Sequence, residues 1–124
     1  MKTKIICTKS PAALGPYSQA IKKDGMLFVS GQIGLDMKTN KIPDDTAGQV
    51  RCCLENIKLI ITEAGGSMDD VVRCAVYLTD LNEFAAMNEA YAEFFKEPCP
   101  ARTTIEVSRL PRDVKVEVDA IAML

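Results

Sequence analysis

Pro100-Ala101-Arg102-Thr103-Thr104-Ile105-Glu106-Val107, followed after a short loop by Val114-Lys115-Val116-Glu117-Val118-Asp119-Ala120-Ile121-Ala122, is the stretch on which the fold turns. From Val114 to Ala122 every second residue is Val or Ala, the period of a half-buried strand, so Lys115, Glu117 and Asp119 share the opposite face. The same alternation puts Arg102, Thr104 and Glu106 on one face of the preceding strand. Joined as a β-hairpin, with Glu106 set against Lys115 by opposite charge, the strands bring Thr104 against Glu117 and Arg102 against Asp119. This register predicts an arginine, a hydroxyl and a carboxylate on one face of one sheet.

That trio has a chemistry. The planar fork of an arginine binds a carboxylate or phosphate through parallel hydrogen bonds and stays charged at any working pH. A nearby glutamate can orient a water molecule or accept its proton. Together they suggest a site where a small carboxylated molecule is attacked by water. The competing reading of the same residues is a solvated ladder of ion pairs on an exposed sheet face.

With 124 residues and 48% hydrophobic composition the chain is one domain, 1–124, with enough apolar material for a real core. A net charge of −2, with basic residues scattered among acidic ones, leaves no electrostatic footprint for nucleic acid. The opening Met1-Lys2-Thr3-Lys4-Ile5-Ile6-Cys7 has too short an apolar run for a signal peptide or a membrane span. There is no histidine, and the five cysteines at 7, 52, 53, 74 and 99 show no paired spacing, so zinc and the usual nucleophile–base pairs lose their commonest groups. An odd number of thiols points to a reducing, cytoplasmic setting. Cys74 alternates with Val72, Val76 and Leu78 and reads as a small buried hydrophobe. Cys52 and Cys53, adjacent on a helix, cannot both face one site.

Two short strands are predicted around Lys4 to Cys7 and Gln19 to Lys23, with Asp24-Gly25 turning the chain into Met26-Leu27-Phe28-Val29-Ser30. Gly31 and Gly34 suggest a bulge or a close backbone approach there. Thr46-Ala47-Gly48-Gln49 resembles a capping box for a helix carrying Ala47, Val50, Leu54, Ile57, Ile61 and Ala64 at helical spacing, ended by Gly65-Gly66. Val71 to Thr79 reads as a strand with Val72, Cys74, Val76 and Leu78 on one face. Asp80 and Glu83 cap a second helix whose stripe of Phe84, Met87, Tyr91 and Phe94 runs until Pro98. The order argues an α+β sandwich with both helices on one face of the sheet. The other face then carries Ala75, Tyr77, Ile121 and Met123 with Arg102 and Glu117, a mixture that a subunit interface containing a pocket accommodates.

Gly15-Pro16-Tyr17-Ser18-Gln19-Ala20, Val29-Ser30-Gly31-Gln32-Ile33, Gln49 with Asn56, Phe84-Ala85-Ala86-Met87-Asn88, and Pro100-Ala101-Arg102 with Leu110-Pro111 and Val116-Glu117-Val118 together resemble the RidA (YjgF) family, the reactive-intermediate deaminases. The likeness covers essentially the whole chain, with five motifs in order at compatible spacing. It implies a chorismate-mutase-like fold, a mixed and mainly antiparallel sheet with two helices on one face, assembled as a homotrimer with sites in the clefts between subunits. It implies no metal and no organic cofactor, small 2-imino or 2-keto acids as partners, and hydrolysis of 2-enamine or 2-imine acids such as 2-aminoacrylate to 2-keto acids and ammonia.

Carried over by position, Arg102 matches the arginine that clamps the substrate carboxylate and Glu117 the acid that positions water. Tyr17, Ser30, Gly31 and Asn88 match residues lining the pocket, with Tyr17, Gly31 and Asn88 expected from the neighbouring subunit. Thr104 matches a substrate-side position where many members have cysteine, which counts against thiol chemistry here and little against hydrolysis. Each lining residue also has a purely structural reading: Tyr17 as the cap of a turn, Ser30 and Gly31 as parts of a bulge. Arg109 and Arg112 read as solvated. Two other functions compete: a non-catalytic binder of 2-keto acids, which needs Arg102 but not Glu117, and an endoribonuclease or translation inhibitor. The acidic charge and the missing histidine stand against the last.

Overall fold

A computed structural model describes all 124 residues. Six strands, β1 (Thr3–Ile5), β2 (Ala20–Lys23), β3 (Met26–Ile33), β4 (Val71–Leu78), β5 (Ala101–Glu106) and β6 (Val116–Met123), form one sheet in the order β1-β2-β3-β6-β4-β5. Helices α1 (Thr46–Glu63) and α2 (Phe84–Tyr91) pack together and cover one face. All pairings are antiparallel except β4 with β5.

Local chemistry explains the element ends. Asp24 and Gly25 both adopt left-handed backbone, with φ of 51° and 78°, the geometry that a two-residue β2–β3 turn requires. Gly65, at φ 91°, closes α1 while the Gly66 N–H donates to the Ile61 carbonyl at 3.0 Å. At the start of α1 the expected capping box is replaced by Asp45, whose side chain accepts from the Gly48 N–H. Thr46 and Gln49 have other partners: the Thr46 hydroxyl donates to Glu83, and Gln49 bridges the Pro43 carbonyl and the Lys115 N–H, each at 2.8 Å. Asp80 caps only the short turn before α2, accepting from the Asn82 N–H, while Glu83, at the start of the helix, makes no capping bond because its carboxylate accepts from Thr46, and the helix ends at Tyr91, leaving Phe94 beyond it. The core lies between α1 and the sheet, where Leu54, Ile57, Ile60 and Ile61 are fully buried, each contributing about 1.5–3 kcal/mol.

The expected C-terminal hairpin does not form. β4 lies between β5 and β6, joined to β5 through α2 as a parallel crossover unit, and β6 inserts between β3 and β4. Cys74 pairs with Arg102 on one side and Ala120 on the other, whereas Tyr77 pairs with Ile105 and Glu117. Arg102 and Thr104 therefore share the helix-covered face with Cys74, Val76 and Val118, and Glu117 and Asp119 lie on the open face. The expected common face for Arg102 and Glu117 is thus overturned. Alternation along a strand specifies which residues go together, but it cannot say which neighbour intervenes, and a shift of one residue exchanges the faces. Val72 is another correction: a register irregularity between Val71 and Arg73 turns it outward, leaving it exposed, while Cys74, Val76 and Leu78 stay in the core.

The open face carries Ala75, Tyr77, Ile121 and Met123 as expected, joined by Phe28, Ile33 and Ile105. Phe28, Ile105 and Met123 each keep more than two fifths of their surface in solvent, at 43%, 44% and 48%. No helix is long and apolar enough to cross a membrane.

Candidate active site

The residues singled out in the sequence fall into two groups on opposite faces. The first gathers at the β5 edge, on the side of α2. There the Arg102 guanidinium carbon stands 4.8 Å from the centre of the Tyr91 ring and 5.7 Å from that of Phe84. Its one hydrogen-bonding contact within the chain is with the Met87 sulfur, at 3.8 Å, a weak acceptor. The ion pairs of the chain are Arg51–Glu93 and Arg109–Asp113, so no carboxylate neutralises Arg102. A half-buried guanidinium whose donors lack acceptors is a ready receptor for an anion.

Thr104 lies two residues further along the same face, its hydroxyl buried and unpartnered. Asn88 stands one turn after Phe84 and one turn before Tyr91, so helical spacing puts it on the stripe of α2 that meets Arg102 in the same chain. Tyr91 is buried, with its ring 4.8 Å from that of Phe95. Its hydroxyl makes no hydrogen bond of good geometry, and its polar neighbour is the Cys74 thiol. Burial raises both groups, the thiol to about 11, so neither ionises near neutral pH.

The second group centres on the β3 bulge. The register shifts between Val29 and Gln32, and Gly31, in that interval, sits so close to the Glu117 carboxylate that an added Cβ would overlap its Oε2. Glu117 is half-buried, and burial first, then the Asp119 charge, raises it above the ordinary carboxylate range. Asp119 in turn accepts from the Tyr77 hydroxyl at 3.1 Å. The Ser30 hydroxyl donates to the Ser18 carbonyl at 2.6 Å, tying the bulge to the loop that carries Tyr17. Tyr17 is 53% exposed and lines a groove of about 530 Å³ with Ser18 and Gln19. In one chain, then, Gly31 meets Glu117 and Ser30 ties their bulge to the Tyr17 loop, while Thr104 and the Asn88 stripe of α2 lie on the side of Arg102, so the expectation that Asn88 reaches Arg102 from the neighbouring subunit is overturned: α2 crosses its own β5.

Buried amides hold this frame. Gln19 accepts from the Cys7 N–H at 2.7 Å and donates to the Cys7 and Pro11 carbonyls, and Asn56 donates to the Ile33 and Leu35 carbonyls. Phe84, Met87 and Tyr91, a core stripe by their spacing alone, also contact Arg102, which the spacing does not reveal. The available signal was the crossover helix itself, because α2 must cross the strand that carries the arginine. Arg109, in an exposed pair with Asp113, is solvated as expected.

Fold and site define the class: a chorismate-mutase-like α+β domain with an open sheet face that carries Glu117 and an edge strand, β5, that carries Arg102 on the helix side. The family model described as endoribonuclease L-PSP matches residues 7–124. A RutC family protein of Pyrococcus horikoshii is 53% identical over 123 residues, covering 98% of each chain. The 2-iminobutanoate/2-iminopropanoate deaminase of Escherichia coli K12 is 44% identical over 126 residues, covering 99% of this chain and 98% of its own. Among solved structures, E. coli TdcF with bound serine superimposes with a TM-score of 0.93 at 43% identity, covering 98% of both chains. The chain belongs to the RidA (YjgF) family.

Proposed function

We propose that this protein hydrolyses 2-enamine and 2-imine acids such as 2-aminoacrylate to 2-keto acids and ammonia, in clefts shared between the subunits of a cytoplasmic homotrimer. The observation that carries the reading is the Arg102 guanidinium, half-buried and without a carboxylate of its own. A relative 44% identical and matched over 98% of its length is named for this reaction, and serine, the molecule bound in the TdcF structure, has the carboxylate that such a clamp would take.

The chemistry needs little apparatus. The protonated imine is already an electrophile, so the protein has to fix the carboxylate and bring water to the adjacent carbon. Arg102 holds the carboxylate through its free N–H groups. Glu117, a stronger base than a solvated glutamate, takes a proton from the water as its oxygen bonds to C2. Glu117 returns that proton to the nitrogen of the amino alcohol, whose C–N bond then breaks to release ammonia while the hydroxyl loses its proton to solvent and becomes the carbonyl of the 2-keto acid. Tyr17, Ser30, Gly31, Asn88 and Thr104 line the substrate.

Because Arg102 and Glu117 occupy opposite faces of one sheet, a site using both draws one from each of two copies. This supports the shared cleft, and the apolar open face provides a surface for assembly. The test is a coupled assay in which a serine or threonine dehydratase generates the enamine in situ and release of keto acid is followed with and without the protein. Acceleration supports the reading, and an unchanged rate overturns it. The family model's own description favours a second reading, ribonuclease activity. A net charge of −2 disfavours it, and cleavage of RNA by the purified protein, lost in Arg102→Ala, is the result that would establish it.

A further inference from the structure

We propose that the Tyr91 ring, together with Phe84, is the positioning element for Arg102, holding the guanidinium by ring contacts so that its N–H edge stays free for a carboxylate. The inference rests on reading Arg102 as the carboxylate clamp. An arginine can be oriented in two ways: by an ion pair, which occupies its donors, or by aromatic faces, which leave them open. The distances of 4.8 Å to the Tyr91 ring and 5.7 Å to Phe84 fall within the reach of cation–π attraction, and no carboxylate takes the first role. An incoming substrate therefore has no internal anion to displace.

The holder is itself rigid. Phe84, Met87 and Tyr91 recur at helical spacing on α2, and all three meet Arg102, so the helix directs the side chain as a unit. Tyr91 is only 6% exposed and is packed against Phe95, while Met87 is fully buried. The Tyr91 hydroxyl has no partner of good geometry and only the Cys74 thiol, a weak one, beside it. The position therefore uses the ring and not the oxygen, which separates this role from proton transfer by a phenol.

Three variants test it: Tyr91→Phe, which keeps the ring; Tyr91→Leu, which keeps apolar bulk without it; and Tyr91→Leu combined with Arg102→Ala. Binding of 2-oxobutyrate by calorimetry and kcat/KM in the coupled assay are measured on each, with folding checked by circular dichroism. Tyr91→Phe should stay within about twofold of the parent. Tyr91→Leu should weaken 2-oxobutyrate binding and raise KM about 3- to 30-fold, with a smaller change in kcat. In the Arg102→Ala background the same change should cost nothing further, a non-additivity that mere loss of packing would not produce. If Tyr91→Leu unfolds the chain, Phe84→Leu, at a partly exposed ring, enters the same cycle. A folded Tyr91→Leu protein that binds 2-oxobutyrate like the parent, or an equal loss in both backgrounds, overturns the positioning role while leaving the clamp standing. Arg102→Ala binding 2-oxobutyrate as the parent does overturns the clamp, and the positioning role with it.

Discussion

Co-assembling Arg102→Ala subunits with Glu117→Gln subunits separates a shared cleft from a site within one chain. Arg102→Ala removes two charge-assisted hydrogen bonds of about 1.5–3 kcal/mol each, so kcat/KM should fall on the order of 100-fold or more. Glu117→Gln keeps the side chain's shape and removes its proton acceptor. Within a chain the two residues, on β5 and β6 either side of β4, face opposite ways, so in the proposed cyclic trimer each cleft would take Arg102 from one copy and Glu117 from the next. After denaturation and joint refolding at equal amounts, half the copies carry an intact arginine and half an intact glutamate. The required order of neighbours then occurs at about one quarter of the clefts, and the mixture should recover about one quarter of the parent rate. The measurement is the coupled deamination assay on refolded mixtures across a range of ratios, with maximum activity at equal amounts. Recovery no better than the sum of the parent variants would place both residues at one site in one chain and refute the two-face geometry.

Further outcomes at Glu117, Gly31 and Thr104 follow from the same geometry. Glu117→Gln should abolish turnover while 2-oxobutyrate binding persists. Because burial raises the folded-state affinity of Glu117 for its proton, its ionised form is a destabilising one: the penalty is absent below the ordinary glutamate range and full above the raised value, so the substitution should raise Tm at pH 7 and leave it unchanged in acid. The same shift predicts that the parent's deamination rate falls as pH drops through the raised Glu117 value, and a flat acid limb would remove Glu117 from proton transfer. Gly31→Ala should push the Glu117 carboxylate off its present position, since the new methyl would overlap it, lowering turnover on the order of 10- to 100-fold with little change in Tm; parental turnover would show that the placement does not matter. Thr104→Cys should deaminate within about threefold of the parent, and Thr104→Val, which removes a buried hydroxyl with no partner, should be more stable by about 1 kcal/mol in chemical denaturation; destabilisation by Val would reveal a hydrogen bond at that oxygen.

The amino-acid sequence determined by itself whatever depends on local periodicity and turn chemistry. Alternation located β4 and β6, helical spacing located α1, and Asp24-Gly25 and Gly65-Gly66 marked their turns because few residues accept left-handed backbone. The motifs around Tyr17, Ser30, Asn88, Arg102 and Glu117 likewise mark the family without reference to any contact. Only the tertiary structure decided which strand lies beside which. The pairing of β4 with both β5 and β6 sets the parity of every side chain across the sheet, and no residue within Ala101–Met123 encodes the strand inserted between its two halves. The division of the candidate site into an Arg102 half and a Glu117 half follows from that insertion. So does the ring cradle of Arg102, since Phe84 and Tyr91 look like ordinary core residues until α2 is laid across the strand that carries the arginine.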